Sequence, residues 1–109
     1  MEGLEMLPHL RLLNLSYNQI TTLPAFQKTC ELVNIDMSHN LLLDVEALAQ
    51  LPWLNTVNID YNEEVEDLLP LDTCPVLVRV NAFGTKVTEV SFLTAKSIIV
   101  NFNPTLEEE

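Results

Sequence analysis

Apolar and polar positions alternate in short bursts along the chain, and the bursts recur. Leu10, Leu13 and Leu15 lead to Asn18; Leu32, Ile35 and Met37 lead to Asn40; Leu54, Val57 and Ile59 lead to Asn62. A fourth copy, Leu77, Val80 and Ala82, ends in Thr85, and a fifth, degenerate one reads Ser97, Val100, Phe102, Thr105. The first positions of successive copies are 22, 22, 23 and 20 residues apart. Between the bursts a second series runs at every third position: Ile20, Leu23, Phe26; Leu42, Val45, Leu48; Val65, Leu68, Leu71; and Val87, Val90, Leu93. Alternation of period two predicts a short strand with one buried face. Apolar residues at every third position predict a tight 3₁₀ or short helical return. The extra residue of the third unit falls between Asn62 and Val65, so Glu63 and Glu64 are expected in a loop that bulges outward.

A fixed period of this length describes stacked units that cannot bury their apolar face alone. The segments 10–31, 32–53, 54–76 and 77–96 are four units and 97–106 a degenerate fifth; 1–9 reads as the tail of a preceding unit and 107–109 as an acidic tail. The pattern L-x-x-L-x-L-x-x-N resembles the leucine-rich-repeat family over nearly the whole chain. "DVEALAQLPWL" (44–54) resembles the 22-residue class of bacterial internalins and of a eukaryotic protein-phosphatase regulatory subunit. The resemblance implies one α/β domain: a solenoid of about four to five repeats, with short parallel strands on the concave face and 3₁₀ or short helical returns on the convex face. Because Leu4, Leu7, Pro8 and Leu10 match a repeat's tail without its strand, the chain is expected to be a fragment, the C-terminal part of a longer array. Were the native product to begin at Met1 instead, its uncapped repeat end would favour self-association.

Where each strand turns, a buried Asn side chain can satisfy backbone donors and acceptors left inside the stack. Asn18, Asn40 and Asn62 are therefore read as a structural ladder, and the hydroxyls of Thr85 and Thr105 as weaker substitutes. Strand alternation turns the fourth and sixth positions of each unit inward and leaves the intervening columns on the concave surface. The third column is Leu12, Asn34, Thr56, Arg79, Ile99, and the fifth is Asn14, Asp36, Asn58, Asn81, Asn101. The seventh is Ser16, Ser38, Asp60, Phe83, Asn103, and the eighth is Tyr17, His39, Tyr61, Gly84. Tyrosines beside carboxylates and amides have the composition of a recognition surface, since Tyr joins apolar area to a hydroxyl with few rotors to freeze. Tyr17, Asp36, His39, Asp60, Tyr61, Arg79 and Phe83 are the candidate partner-binding residues. Two plainer readings stand beside this one: the rings merely cover strand ends, and the column-five amides bond to one another along the sheet.

Charge and composition narrow the function. With five Lys and Arg against 16 Asp and Glu, the formal net charge is −11, which argues against nucleic acid and anionic membranes and predicts a neutral or basic protein or peptide partner. No apolar run is long enough for membrane insertion, and Met1-Glu2-Gly3-Leu4 lacks the start of a signal peptide. "DMSH" (36–39) brings Asp, Ser and His together, but consecutive strand residues splay apart, and no G-x-S-x-G elbow exists. His9 and His39 lack metal-ligand spacing, and Gly3 and Gly84 cannot build a phosphate loop, so neither cofactor nor metal is expected. "EEVED" (63–67) lacks the spaced oxygens of a calcium loop and reads as a solvated turn. Asn14-Leu15-Ser16 fits a glycosylation sequon whose glycan would block the concave face. Trp53 is expected to be core or partial cover at the edge of the stack.

Cys30 and Cys74 lie two units apart. At about 4.8 Å per strand their returns are separated by roughly 10 Å, beyond the Cα separation of about 7 Å that a disulfide tolerates. Both are expected to be free thiols. The resulting expectation is a non-enzymatic recognition module. The internalin resemblance implies a bacterial cell-surface or secreted parent; the free thiols favour a reducing compartment, where the alternative is a cytoplasmic regulatory or scaffold subunit, and a further alternative is a structural spacer within a multidomain enzyme.

Overall fold

The structure, a computed structural model, describes residues 9–23, 26 and 31–102. Cys30, Asn103, Thr105, the 1–8 stretch and the 107–109 tail lie outside the described residues. Five strands, β1 (Leu12–Asn14), β2 (Asn34–Asp36), β3 (Thr56–Asn58), β4 (Arg79–Ala82) and β5 (Ile99–Phe102), form one sheet in sequence order. Every neighbouring pair is parallel. Leu13, Ile35, Val57, Val80 and Val100 stand in one file because each is the register partner of the next.

The strands are short because a turn must follow as soon as two inward positions have been filled. Ile35 and Met37, Val57 and Ile59, and Val80 and Ala82 are fully buried, and their outward neighbours, Ser38 apart, are not buried. The chain then returns through 3₁₀ turns at Glu46–Leu48 and Leu69–Thr73 and through one α-helical turn, α1 (Ser91–Thr94). Val45 and Leu48, Leu68 and Leu71, and Val90 and Leu93 come inward from those returns and close the core. A three-residue period suits this because side chains three apart in a 3₁₀ turn share one face. The first repeat packs less deeply: Leu10, Leu13, Leu15, Ile20, Leu23 and Phe26 are only partly buried against the core.

The inserted residue of the third unit is absorbed where the sequence places it. Glu63 and Glu64 are exposed in a turn, Val65 regains the core, and Lys86 of the next rung reaches Glu64 at 3.1 Å. Cys74 is a free, buried thiol whose Sγ lies 3.1 Å from the Leu48 carbonyl oxygen. Burial pushes the thiol up, against the lowering effect of the Leu51 and Gln50 backbone. No helix among the described residues is long and apolar enough to cross a membrane.

Candidate recognition surface

The first three strands leave the sheet through side-chain-capped turns. The Asn14 Oδ1 accepts from the Ser16 amide at 3.0 Å and hydroxyl at 2.7 Å; the Asp36 Oδ1 accepts from the Ser38 amide and hydroxyl at the same two distances. Asn58 Oδ1 takes the Asp60 amide at 3.0 Å. An Asn or Asp bonding its own backbone two residues on is what these residue types do best outside regular structure. The amide-to-amide contact expected along column five occurs as Asn101 to Asn81, at 2.8 Å; Asn14, Asp36 and Asn58 use their oxygens for the turn instead. Ser38 departs from its expected outward position. It is buried, whereas Ser16, with the same bonds on the outermost described rung, is only partly so.

Three residues after the capping position, the backbone enters the left-handed region at the eighth position of the first four rungs: φ is 61° at Tyr17, 58° at His39, 62° at Tyr61 and 71° at Gly84. This repeated strain brings three side chains into one column. The Tyr17 and His39 ring centroids are 4.1 Å apart with planes 9° off parallel, and those of His39 and Tyr61 are 4.7 Å apart at 25°. Tyr61 in turn lies against Gly84, where a β-carbon would meet its ring. The rings therefore form a continuous stack, with Tyr17 74% and Tyr61 50% exposed. His39 is held between rings and Ser38 donates to Asp36, so Asp36, Ser38 and His39 make no Ser–His–Asp relay.

Beside the stack, Asp60 Oδ1 accepts from the Phe83 amide at 2.8 Å, and Phe83 and Arg79 are exposed. The structure thus gathers Tyr17, His39 and Tyr61 in direct contact, sets Asp36 and Asp60 on the flanking columns, and leaves Arg79 and Phe83 on the fourth rung.

The ninth-position residues face the other way. Asn40 Nδ2 donates to the carbonyl oxygens of Leu15 (2.9 Å), Met37 (3.0 Å) and Ser38 (3.2 Å), while its Oδ1 accepts from the Ile20 amide at 3.0 Å. Asn62 repeats this with Met37 O (2.8 Å), Ile59 O (2.9 Å) and the Leu42 amide (3.0 Å). Both are buried. Asn18 makes the bonds within its own rung, to Leu15 O and Ser16 O, but is exposed. Thr85 donates its single hydroxyl proton to Ala82 O at 2.7 Å, where an amide of two protons serves two rungs.

Trp53 is not core. It is 58% exposed and, with Arg11, Glu31 and Val33, lines a cavity of ≈ 380 Å³ at the edge of the stack. Glu31 meets His9 at 3.1 Å and Arg11 at 3.6 Å there. Sequence patterning missed this feature, since the last column of the repeat, Glu31, Trp53 and Val76, has no common character. The capped turns and the eighth-position bend were also missed, although the spacing Asn/Asp-x-Ser and Gly84 in the eighth column are their signals.

Comparison with known proteins adds the family. The family described as leucine-rich repeats (2 copies) matches residues 8–50, which hold the first repeat and most of the second. No curated protein matches the chain. Domains of this family generally mediate protein–protein interaction and are generally non-catalytic. With the parallel five-strand sheet, the 3₁₀ returns and the recurring Asn on the page, the match over residues 8–50 supports a leucine-rich-repeat protein.

Proposed function

We propose that the chain is a non-catalytic recognition module that binds a protein or peptide on its concave sheet. The observation that carries this reading is the Tyr17–His39–Tyr61 stack. It displays amphipathic rings whose positions are fixed before any partner arrives, which removes part of the ordering cost of binding. Asp36, Asp60, Arg79 and Phe83 complete the surface, drawn from the second, third and fourth rungs. The 22-residue step supports an internalin-like subclass and a surface or secreted parent. The buried free thiol of Cys74 favours the second reading, a cytoplasmic regulatory or scaffold subunit using the same face.

Tyr61→Ala combined with His39→Ala tests the face assignment. Once a partner has been isolated, this pair is expected to weaken it by about 2 kcal/mol or more, the range of interface hot spots. A Glu66→Ala change on the return serves as the control. Equal loss from the control, with the concave pair silent, overturns the proposal. The acidic balance further predicts an on-rate that falls as salt is added.

A further inference from the structure

We infer that the strand-entry edge of the stack is a second docking surface, which takes a protein segment by an apolar side chain set against Trp53 and a single carboxylate set on Arg79. The edge is built by the slots that flank the first leucine of each rung. Trp53 and Val76 fill the slot before Leu54 and Leu77, and Val33 and Val78 the slot after Leu32 and Leu77. Parallel register carries these slots from one rung to the next, so the four side chains gather across the second, third and fourth rungs. Trp53, Val76 and Val78 are 58%, 40% and 47% exposed although a rung stands on either side of each. Trp53 and Val33 also wall the cavity of ≈ 380 Å³. Apolar area gathered in slots that the core does not use marks an interaction site.

Charge selects the chemistry of the occupant. Among the described residues Arg11 pairs with Glu31, Lys86 with Glu64 and Lys96 with Asp72, whereas Arg79 forms no ion pair. Arg79 is exposed, directly after Val78, in a chain of net charge −11. The carboxylates that could have met it lie elsewhere: Asp44, Glu46, Glu63, Glu64, Glu66 and Asp67 are exposed on the turns and returns that follow the strands. Glu31 is the one carboxylate in the described flanking slots, and its oxygens face His9 and Arg11. An incoming carboxylate therefore meets a guanidinium with no competitor, and the two can form a forked pair. A run of acids would be repelled by the chain as a whole, so one carboxylate beside apolar residues fits the edge. Val33 and Arg79 stand two rungs apart, roughly 10 Å, which an extended segment spans in about three residues. A basic segment, the kind that suits the concave face, would oppose Arg79 with like charge.

Random peptides displayed on phage and panned on the full chain test this. Binders are re-titrated on Trp53→Ser and on the double variant Tyr61→Ala with His39→Ala, which alters the concave face; circular dichroism checks that each variant is folded. The expected result is a group of peptides weakened about thirtyfold or more by Trp53→Ser and unmoved by the concave pair. They should carry one Asp or Glu about three residues from an aromatic or aliphatic anchor. Arg79→Gln should weaken them about two- to fivefold, and panning on Arg79→Glu should replace the acid by Lys or Arg. Trp53-dependent peptides that are basic or wholly apolar, or that ignore Arg79→Glu, overturn the inference, as does a library with no Trp53-dependent binder. Sedimentation showing a dimer of the full chain that is lost on Trp53→Ser gives the edge to a second copy and overturns it too. The concave-face reading stands or falls separately, on the Tyr61 and His39 variant.

Discussion

The ring of Tyr61 occupies the space that a side chain on Gly84 would need: an ideal β-carbon at position 84 would meet Tyr61 Cδ1 and stand 2.9 Å from Cε1. Gly84 also has φ +71°, a conformation that costs an L-residue roughly 1 kcal/mol. Gly84→Ala should therefore destabilise the protein by about 2–3 kcal/mol, the steric part adding to the backbone part. Adding Tyr61→Ala removes the obstacle, so the double variant should lose less than the sum of the singles. Urea denaturation of the four proteins in the cycle measures this, and strict additivity would contradict the contact.

The two buried asparagines should respond alike and their exposed counterpart should not. Asn62→Ala strips bonds from Met37 O, Ile59 O and the Leu42 amide, all inside the stack. Leaving such groups without partners costs about 1–3 kcal/mol each where water cannot reach them. Losses of roughly 3 kcal/mol are expected for Asn40→Ala and Asn62→Ala, and under about 1 kcal/mol for Asn18→Ala. Denaturant midpoints at constant m-value separate the cases.

That contrast shows which parts of the molecule can be read from sequence. Asn18, Asn40 and Asn62 occupy the same slot of the same motif, and the motif correctly implies their bonds within the rung. Burial is different: it depends on what lies on either side in the stack, which no single repeat encodes. The inward files, Ile35 to Val80 and Met37 to Ala82, were legible because period-two alternation maps directly onto the two faces of a strand. The stack of Tyr17, His39 and Tyr61 was legible as a column but not as ring contacts. Those depend on the sign of φ at one residue per rung, and a non-glycine residue gives little notice of a left-handed bend. Ser38 was misplaced for the same reason as Asn18: its bonds match those of Ser16, and only its place within the stack makes it buried. Trp53 shares its column with Glu31 and Val76, a charged and an apolar residue, so no pattern announced its exposure.

The stack itself makes an energetic prediction. Tyr17 and His39 touch, as do His39 and Tyr61, while the two tyrosines are separated by the imidazole. Alanine double-mutant cycles should give coupling of about 0.5–1.5 kcal/mol for each touching pair, the range of aromatic contacts. Coupling between Tyr17 and Tyr61 should be near zero. Alanine is the appropriate replacement because it keeps the left-handed backbone cost nearly constant, which glycine would relieve. A Tyr17–Tyr61 coupling as large as the others would mean the column responds as one unit rather than by contact.

Glu89 gives the fold a pH-dependent element. Its Oε1 accepts from the Ser91 hydroxyl and from the Ser91 amide at 2.6 Å, just ahead of α1. The hydroxyl bond and then the amide bond hold the carboxyl below the usual glutamate range. A lowered folded-state pKa means that the ionised form is favoured by folding. The stabilisation is therefore fully present above the unfolded pKa and is lost as pH falls through the folded one. Glu89→Gln should lower the denaturation midpoint at neutral pH, and the gap from the unsubstituted protein should narrow on acidification. Because Glu89 is on the surface, added salt should also shrink the gap. A gap that is constant from neutral to strongly acidic pH would assign the effect to side-chain shape rather than to the carboxylate's charge. In that case the turn before α1 would be held by the serine alone.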